Sequence, residues 1–174
     1  MKYFIGIVPP DNIADAIVSI QQPFGDNRLE PHITLRPPVT VIDDAAWLRI
    51  AERICASFPP IPIALTGTGN FGKGVLFIDV KSDTLVKLHH LIIEALKPFE
   101  QAETKQQNQS VNPHLTLGRL WCGFTQQHFI EMKKLAEEYL AKEAVSFDAT
   151  FVRIHFKSSG HSRYTTLKDI PLMM

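Results

Sequence analysis

A histidine and a threonine two residues apart, set among leucine and isoleucine and entered through a proline, occur twice in the chain. They stand in EPHITLRPP (Glu30–Pro38) and again, about eighty residues later, in NPHLTLGRL (Asn112–Leu120). Side chains alternate across a strand, so residues two apart point the same way. His32, Thr34 and Arg36 then share one face, and Ile33 and Leu35 take the other. In the second copy His114 and Thr116 oppose Leu115 and Leu117, and regular alternation turns Arg119 away from the histidine. Pro31 and Pro113 suit the first position of a strand and hold the preceding residue extended. The chain must therefore build two strands whose apolar faces are covered and whose polar faces carry the same groups. Composition alone produces H-x-T-L roughly 0.04 times in such a chain, so two copies ask for a common cause.

The remaining elements supply the cover. KYFIGIV reads as an apolar strand, and after it Ile13, Ala16, Ile17 and Ile20 recur at helical spacing behind Asp11, a candidate cap. Trp47, Ile50, Ala51 and Ile54 mark a second helix, then FPPIPIALTG and GVLFIDV read as strands about a glycine-rich turn. Leu85, Leu88, Ile92, Ala95 and Leu96 make the stripe of a third helix, with Asp83 as candidate cap and Pro98 beyond its end. The polar run from Glu100 to Asn112 has almost nothing to bury and reads as an exposed connection. A fourth helix spans about Thr125 to Lys142, and VSFDATFVRIHF and RYTTLKDIPL close the chain as strands. Helices and antiparallel strands in this order, with one motif in each half, predict an α+β fold. Its expected form is a single domain of two pseudo-symmetric lobes, approximately 1–99 and 113–174, each an antiparallel sheet with helices outside and a cleft between them.

Charge and cysteine content narrow the chemistry. Lys plus Arg and Asp plus Glu are 18 each, so the basic footprint of a protein gripping long nucleic acid is missing, and a small substrate or a strand end fits better. Cys55 and Cys122 have no CxxC spacing, which argues for reduced thiols over a disulfide framework or a zinc ribbon. No apolar run approaches the roughly 20 residues of a membrane span, and the start is too quickly polar for a signal peptide. The expectation is a cytoplasmic monomer with no membrane association.

Two imidazoles facing one another can serve as base and acid in displacement at phosphorus, because imidazole titrates near neutrality and both roles are open to it. Thr34 and Thr116 can donate to the non-bridging phosphate oxygens, and Arg36 is the basic residue best placed to add to that stabilisation. The residues leave open which histidine takes which role. Arg153, His155, Lys157, His161 and Arg163 could line a phosphate-binding rim or simply an edge strand, and Tyr164, Phe4 and Phe71 could stack on a base or pack. GTGNFG (Gly67–Gly72) matches a dinucleotide-binding pattern literally but is followed by a strand, so it reads as a hairpin turn. His89 and His90 diverge on a helix and cannot readily grip one metal.

HITL and HLTL, about eighty residues apart, resemble the paired H-x-[TS]-hydrophobic signature of the 2H phosphoesterase superfamily, the RNA 2′,3′-cyclic phosphodiesterase or 2′-5′ RNA ligase-like proteins. The opening FIGIVPPDNIADAI and the closing KSSGHSRYTTLKDIPL are similar to that family as well. The resemblance implies His32 and His114 as the acid and base pair, Thr34 and Thr116 as phosphate ligands, and two lobes about a pseudo-twofold axis. It implies a small nucleotide or RNA end bearing a 2′,3′-cyclic phosphate as substrate, opened by water, with no metal and no cofactor. Arg36, Arg119 and Tyr164 are the further candidates for substrate binding. The alternatives are a module that binds such a phosphate without turnover, and a hydrolase or ligase of 2′-5′ linkages.

Overall fold

Each strand turns apolar residues at alternate positions to one side of a single sheet, and four helices lie against that side. The computed structural model of the chain describes residues 1–26, 29–102, 111–158 and 163–173. Its strands are β1 (Lys2–Ile7), β2 (Ile33–Thr40), β3 (Ile61–Phe71), β4 (Val75–Lys81), β5 (His114–Arg119), β6 (Val145–Ala149), β7 (Phe151–Lys157) and β8 (Thr165–Pro171). The helices are α1 (Asp11–Gln21), α2 (Asp44–Ala56), α3 (Asp83–Leu96) and α4 (Gln126–Lys142). The order across the sheet is β6-β3-β4-β5-β2-β1-β7-β8, and every pairing is antiparallel.

The two motif strands, β2 and β5, meet at the centre of that order through one pair, Ile33 with Leu115. On either side of this seam lie four-stranded halves, β6-β3-β4-β5 and β2-β1-β7-β8. The α+β class expected from the sequence is thus present, with the two sheets continuous through the seam as one curled half-barrel. The halves do not follow the segments 1–99 and 113–174. β3 and β4 join β5, while β7 and β8 return to β1. Consequently the run read as VSFDATFVRIHF is two strands: it breaks at Thr150, and its pieces sit near opposite ends of the sheet. A connection of one residue between them forces the sheet to curl.

Helix α1 packs on α4 and β5, and α3 packs on α2, β2 and β3. Ile13, Ile17 and Ile20 of α1, Trp47 and Ala51 of α2, Leu88 and Ile92 of α3, and Phe129 and Met132 of α4 join the strand residues Ile5, Ile33, Leu35, Leu115 and Leu117 in one core. Each fully buried aliphatic side chain of this kind contributes roughly 1.5–3 kcal/mol, which keeps the motif strands seated on the helices.

The caps differ by one residue from those expected. Ser82, not Asp83, caps α3 by accepting from the Leu85 N–H, and Pro10, not Asp11, occupies the cap position of α1 without a side-chain bond. Asp43 caps α2, and Thr125 forms a capping box with His128 at α4. GTGNFG is mostly strand: Gly67 and Gly69 lie within β3, and the turn follows Phe71, with Gly72 at φ +53°. Residues 103–110 of the polar connection, and His161, lie outside the described residues. Glu100 lies within them, and its side chain is buried against Arg36.

Candidate functional site

Antiparallel pairing of Ile33 with Leu115 sets His32 across from Thr116 and Thr34 across from His114 on the face away from the helices. A local twofold through that pair exchanges the two motifs. In an ideal ladder diagonal neighbours, the relation of His32 to His114, lie about 7–8 Å apart, with their Cβ atoms somewhat closer.

Both rings are held in the same way. His32 Nδ1 lies 2.9 Å from the Glu30 carbonyl oxygen, and His114 Nδ1 lies 2.8 Å from that of Asn112. A carbonyl can only accept, so each Nδ1 carries a proton and donates it two residues back. Each Nε2 is left for chemistry, a lone pair when the ring is neutral and a donor when it is charged. Aromatic rings flank both, with Phe4 centred 5.2 Å from His32 and Phe77 5.1 Å from His114.

The electrostatics of the two differ. Burial pushes the His32 pKa down to about 4, against the Glu30 carbonyl bond and with help from His155 and Arg119. His114 is also lowered by burial, opposed by its Asn112 bond, with Arg119 pulling down and Asp79 pulling up. One guanidinium, that of Arg119, thus acts on both imidazoles.

The two arginines are placed opposite to simple alternation, and β-bulges are the reason. Against β1, Gly6 pairs with Thr34 and Ile5 with Arg36, so Leu35 is an extra residue. Against β4, Phe77 pairs with Thr116 and Leu76 with Gly118, so Leu117 is extra. A bulge inserts one residue into one strand and reverses the alternation beyond it. Arg36, expected at the phosphate, instead turns into the core and is 1% exposed. Its Nε donates to Glu100 Oε1 at 3.0 Å, its Nη2 pairs with Glu100 Oε2, and the Trp47 indole donates to Glu100 Oε1 at 3.0 Å. Arg36 is therefore withdrawn as a substrate ligand. In the second motif Gly118 intervenes, and the reversal brings Arg119 to the cleft, where Nη2 lies 3.4 Å from Thr116 Oγ1.

The bulges are braced from the helix layer by residues absent from the sequence-based site. His89 of α3, considered above only as half of a poor metal pair, donates from Nδ1 to the Leu35 carbonyl at 2.7 Å. Gln21 of α1, 6% exposed, donates from Nε2 to the Leu117 and Thr116 carbonyls at 3.1 and 3.3 Å. Each brace holds the strand beside a motif threonine. Taking donors from buried carbonyls costs about 1–3 kcal/mol, so Gln21→Leu is expected to lower stability by that amount in urea unfolding. A midpoint indistinguishable from wild type would refute the brace.

Of the residues that could line a basic rim near the C-terminus, Arg153 and His155 are engaged in structure. Arg153 donates to both oxygens of Glu30 at 2.8 and 2.9 Å and to Asp169 at 2.7 Å from each of Nε and Nη2. The bonds to Asp169 lead the causes that raise its pKa. His155, 1% exposed, reaches Glu30 Oε1 from Nε2 at 3.2 Å and stacks on Phe4. Glu30 is accordingly fixed by its carboxylate while its carbonyl holds His32. Tyr164 meets Phe4 edge-on at 4.9 Å and lies under the Lys157 ammonium, on the His32 side. Glu30 belongs to the first motif segment, but no spacing rule links it to Arg153. Among the described residues, no group of three or more His, Cys, Asp or Glu is placed to hold a metal ion, and no helix is long and apolar enough to cross a membrane.

Residues 9–158 match the family described as the 2′-5′ RNA ligase superfamily. No curated protein matches the chain by sequence. Among solved structures it is similar to TT0787 of Thermus thermophilus, at 16% identity and a TM-score of 0.69, over 99% of this chain and 98% of that one. It is also similar to E. coli LigT in complex with 3′-AMP, at 19% identity and a TM-score of 0.66 over the same shares of the two chains. The LigT complex with NADP+ gives 19% identity and 0.63, again over 99% and 98%. These likenesses are of fold, end to end. With the family match running from the first helix through β7, the chain belongs to the 2′-5′ RNA ligase superfamily, the 2H phosphoesterases.

Proposed function

We propose that the chain is a metal-independent phosphodiesterase that opens 2′,3′-cyclic phosphates of nucleotides or RNA ends. The observation that carries this reading is the paired pinning of Nδ1, which leaves two Nε2 atoms for one phosphate between two threonines. Bound 3′-AMP, NADP+ and ATP in LigT structures of the same fold support a nucleotide as the ligand class.

His32, whose pKa is about 4, starts neutral at physiological pH and is suited to be the base. Its Nε2 takes a proton from water as the water oxygen bonds to phosphorus. The bond from phosphorus to one ribose oxygen breaks, and His114 Nε2–H protonates that oxygen. The product is a phosphomonoester beside a free hydroxyl. Thr34, Thr116 and Arg119 donate to the non-bridging oxygens, whose charge is redistributed in the transition state.

The test is conversion of 2′,3′-cyclic AMP to a monophosphate with EDTA present throughout; absence of any product would end the proposal. The pH profile of kcat/KM follows from the two rings. Activity rises as His32 loses its proton near pH 4 and falls as His114 loses the proton it must give. Since burial lowers His114 as well, the falling limb belongs below the ordinary value of about 6.5. An optimum on the alkaline side of neutrality would contradict these roles.

A further inference from the structure

The two ends of the cleft are unlike, although the motifs at its centre are related by a twofold. On the His32 side the ring of Phe4 is already covered. Phe4 is 3% exposed, stacked on His155 at 4.3 Å between ring centroids and met edge-on by Tyr164. The carboxylates of Glu30 and Asp169 stand on the same side.

On the His114 side an aromatic face remains open. Gly69 pairs with Phe77, whose ring crosses the glycine so closely that a Cβ at 69 would come within 2.6 Å of it. This clearance lets Phe77 lie flat on the sheet. Phe71, at the end of β3, sits 4.3 Å from Phe77 and presents its ring to His114 edge-to-face at 4.8 Å and 83°. It is 41% exposed. Phe77 and His114 fix its position, while part of its ring meets solvent at the rim of the site. An aromatic ring held rigidly beside a phosphate site binds a nucleobase by stacking, with little dependence on which base it is.

We propose that the exposed ring of Phe71 is the stacking platform for the nucleobase of the substrate, so that the nucleoside lies on the His114 side of the cleft. This rests on the cyclic phosphodiesterase reading above and adds the direction in which the substrate lies.

The test compares ligands with and without a base on the wild type and on Phe71→Ala, Phe71→Leu, Phe71→Trp and Tyr164→Ala. Loss of one stack predicts about a tenfold weaker affinity of Phe71→Ala for 3′-AMP by calorimetry, and a similar rise in KM for 2′,3′-cyclic AMP. Affinity for ribose 5-phosphate, which has no base, stays unchanged. Phe71→Leu, which keeps an apolar cover over His114 but no π face, loses affinity as alanine does; Phe71→Trp keeps or strengthens it. Unchanged 3′-AMP affinity in Phe71→Ala overturns the platform. So does an equal loss for both ligands, or a base-dependent loss in Tyr164→Ala alone. A wild type that hydrolyses a cyclic phosphate but binds 3′-AMP no better than ribose 5-phosphate overturns it without touching the proposed activity. Base-dependent binding at Phe71 without hydrolysis leaves the platform standing and removes the activity instead.

Discussion

Replacing His32 or His114 by alanine is expected to lower kcat for 2′,3′-cyclic AMP by about a hundred- to ten-thousandfold, the usual contribution of a positioned acid or base. The double variant is expected to be little worse than the more damaged single one, since groups that act in one proton transfer sequence are not additive. The roles separate with the leaving group. A nucleotide p-nitrophenyl ester expels a phenolate that needs little protonation, so His114→Ala should recover most of its loss on that substrate while His32→Ala, lacking the base, should not. Equal rescue of both, or of His32→Ala alone, would refute the assignment of roles. Turnover within a fewfold of wild type in either single variant would refute paired-histidine catalysis as a whole. The Nδ1 bonds to the Glu30 and Asn112 carbonyls make the prediction specific to Nε2: a glutamine at either position restores polarity without a titrating nitrogen, and should rescue nothing.

The motif strands show where sequence reading succeeds and where it fails. Period-two alternation places His32 and Thr34 on one face and Ile33 and Leu35 on the other, and the structure has them so, because local sterics fix that period until the strand is interrupted. The interruption is what the sequence does not announce. Each motif strand carries its extra residue immediately after the threonine, and beyond that point alternation gives the wrong answer twice. It sends Arg36 to the phosphate and Arg119 away, whereas Arg36 is buried against Glu100 and Arg119 reaches Thr116. The only local sign is the glycine that separates leucine from arginine in HLTLGR and is missing from HITLRP. A bulge is fixed by the neighbouring strand and by donors behind it, here His89 and Gln21, which arrive from helices distant in sequence. Topology was hidden for a similar reason. Hydrophobic periodicity gives VSFDATFVRIHF as strand, but nothing in it says that the chain leaves one half of the sheet at Thr150 and enters the other.

Glu100→Ala is expected to destabilise the protein by about 3–5 kcal/mol, the cost of leaving one member of a buried ion pair uncompensated. The side chains of Arg36 and Glu100 are 1% and 6% exposed, and the carboxylate receives both the guanidinium and the Trp47 indole. It also fastens three parts of the chain. Trp47 belongs to α2, Arg36 follows the bulge of β2, and the segment carrying Glu100 returns from α3 to lie along the end of β2. There the Gln101 N–H donates to the Thr40 carbonyl and Ile42 N–H to that of Phe99. Against a total stability of roughly 5–15 kcal/mol for a domain, such a loss is large and should appear as a lower midpoint in urea. Glu100→Gln keeps acceptors for both donors but not the charge, and should fall between wild type and alanine. Replacing both partners, Arg36→Met with Glu100→Leu, removes the desolvation cost together with the attraction and should recover much of the single-variant loss. A double variant as unstable as the sum of its parts would show that Arg36 acts through packing of its stem and not through the pair. A Glu100→Ala protein within about 1 kcal/mol of wild type would show that the buried guanidinium finds other partners. Because Thr34 lies two residues before Arg36 across the bulge, the same loosening should raise KM at temperatures where the variant is still folded. Loss of stability without that rise would confine the pair to the core.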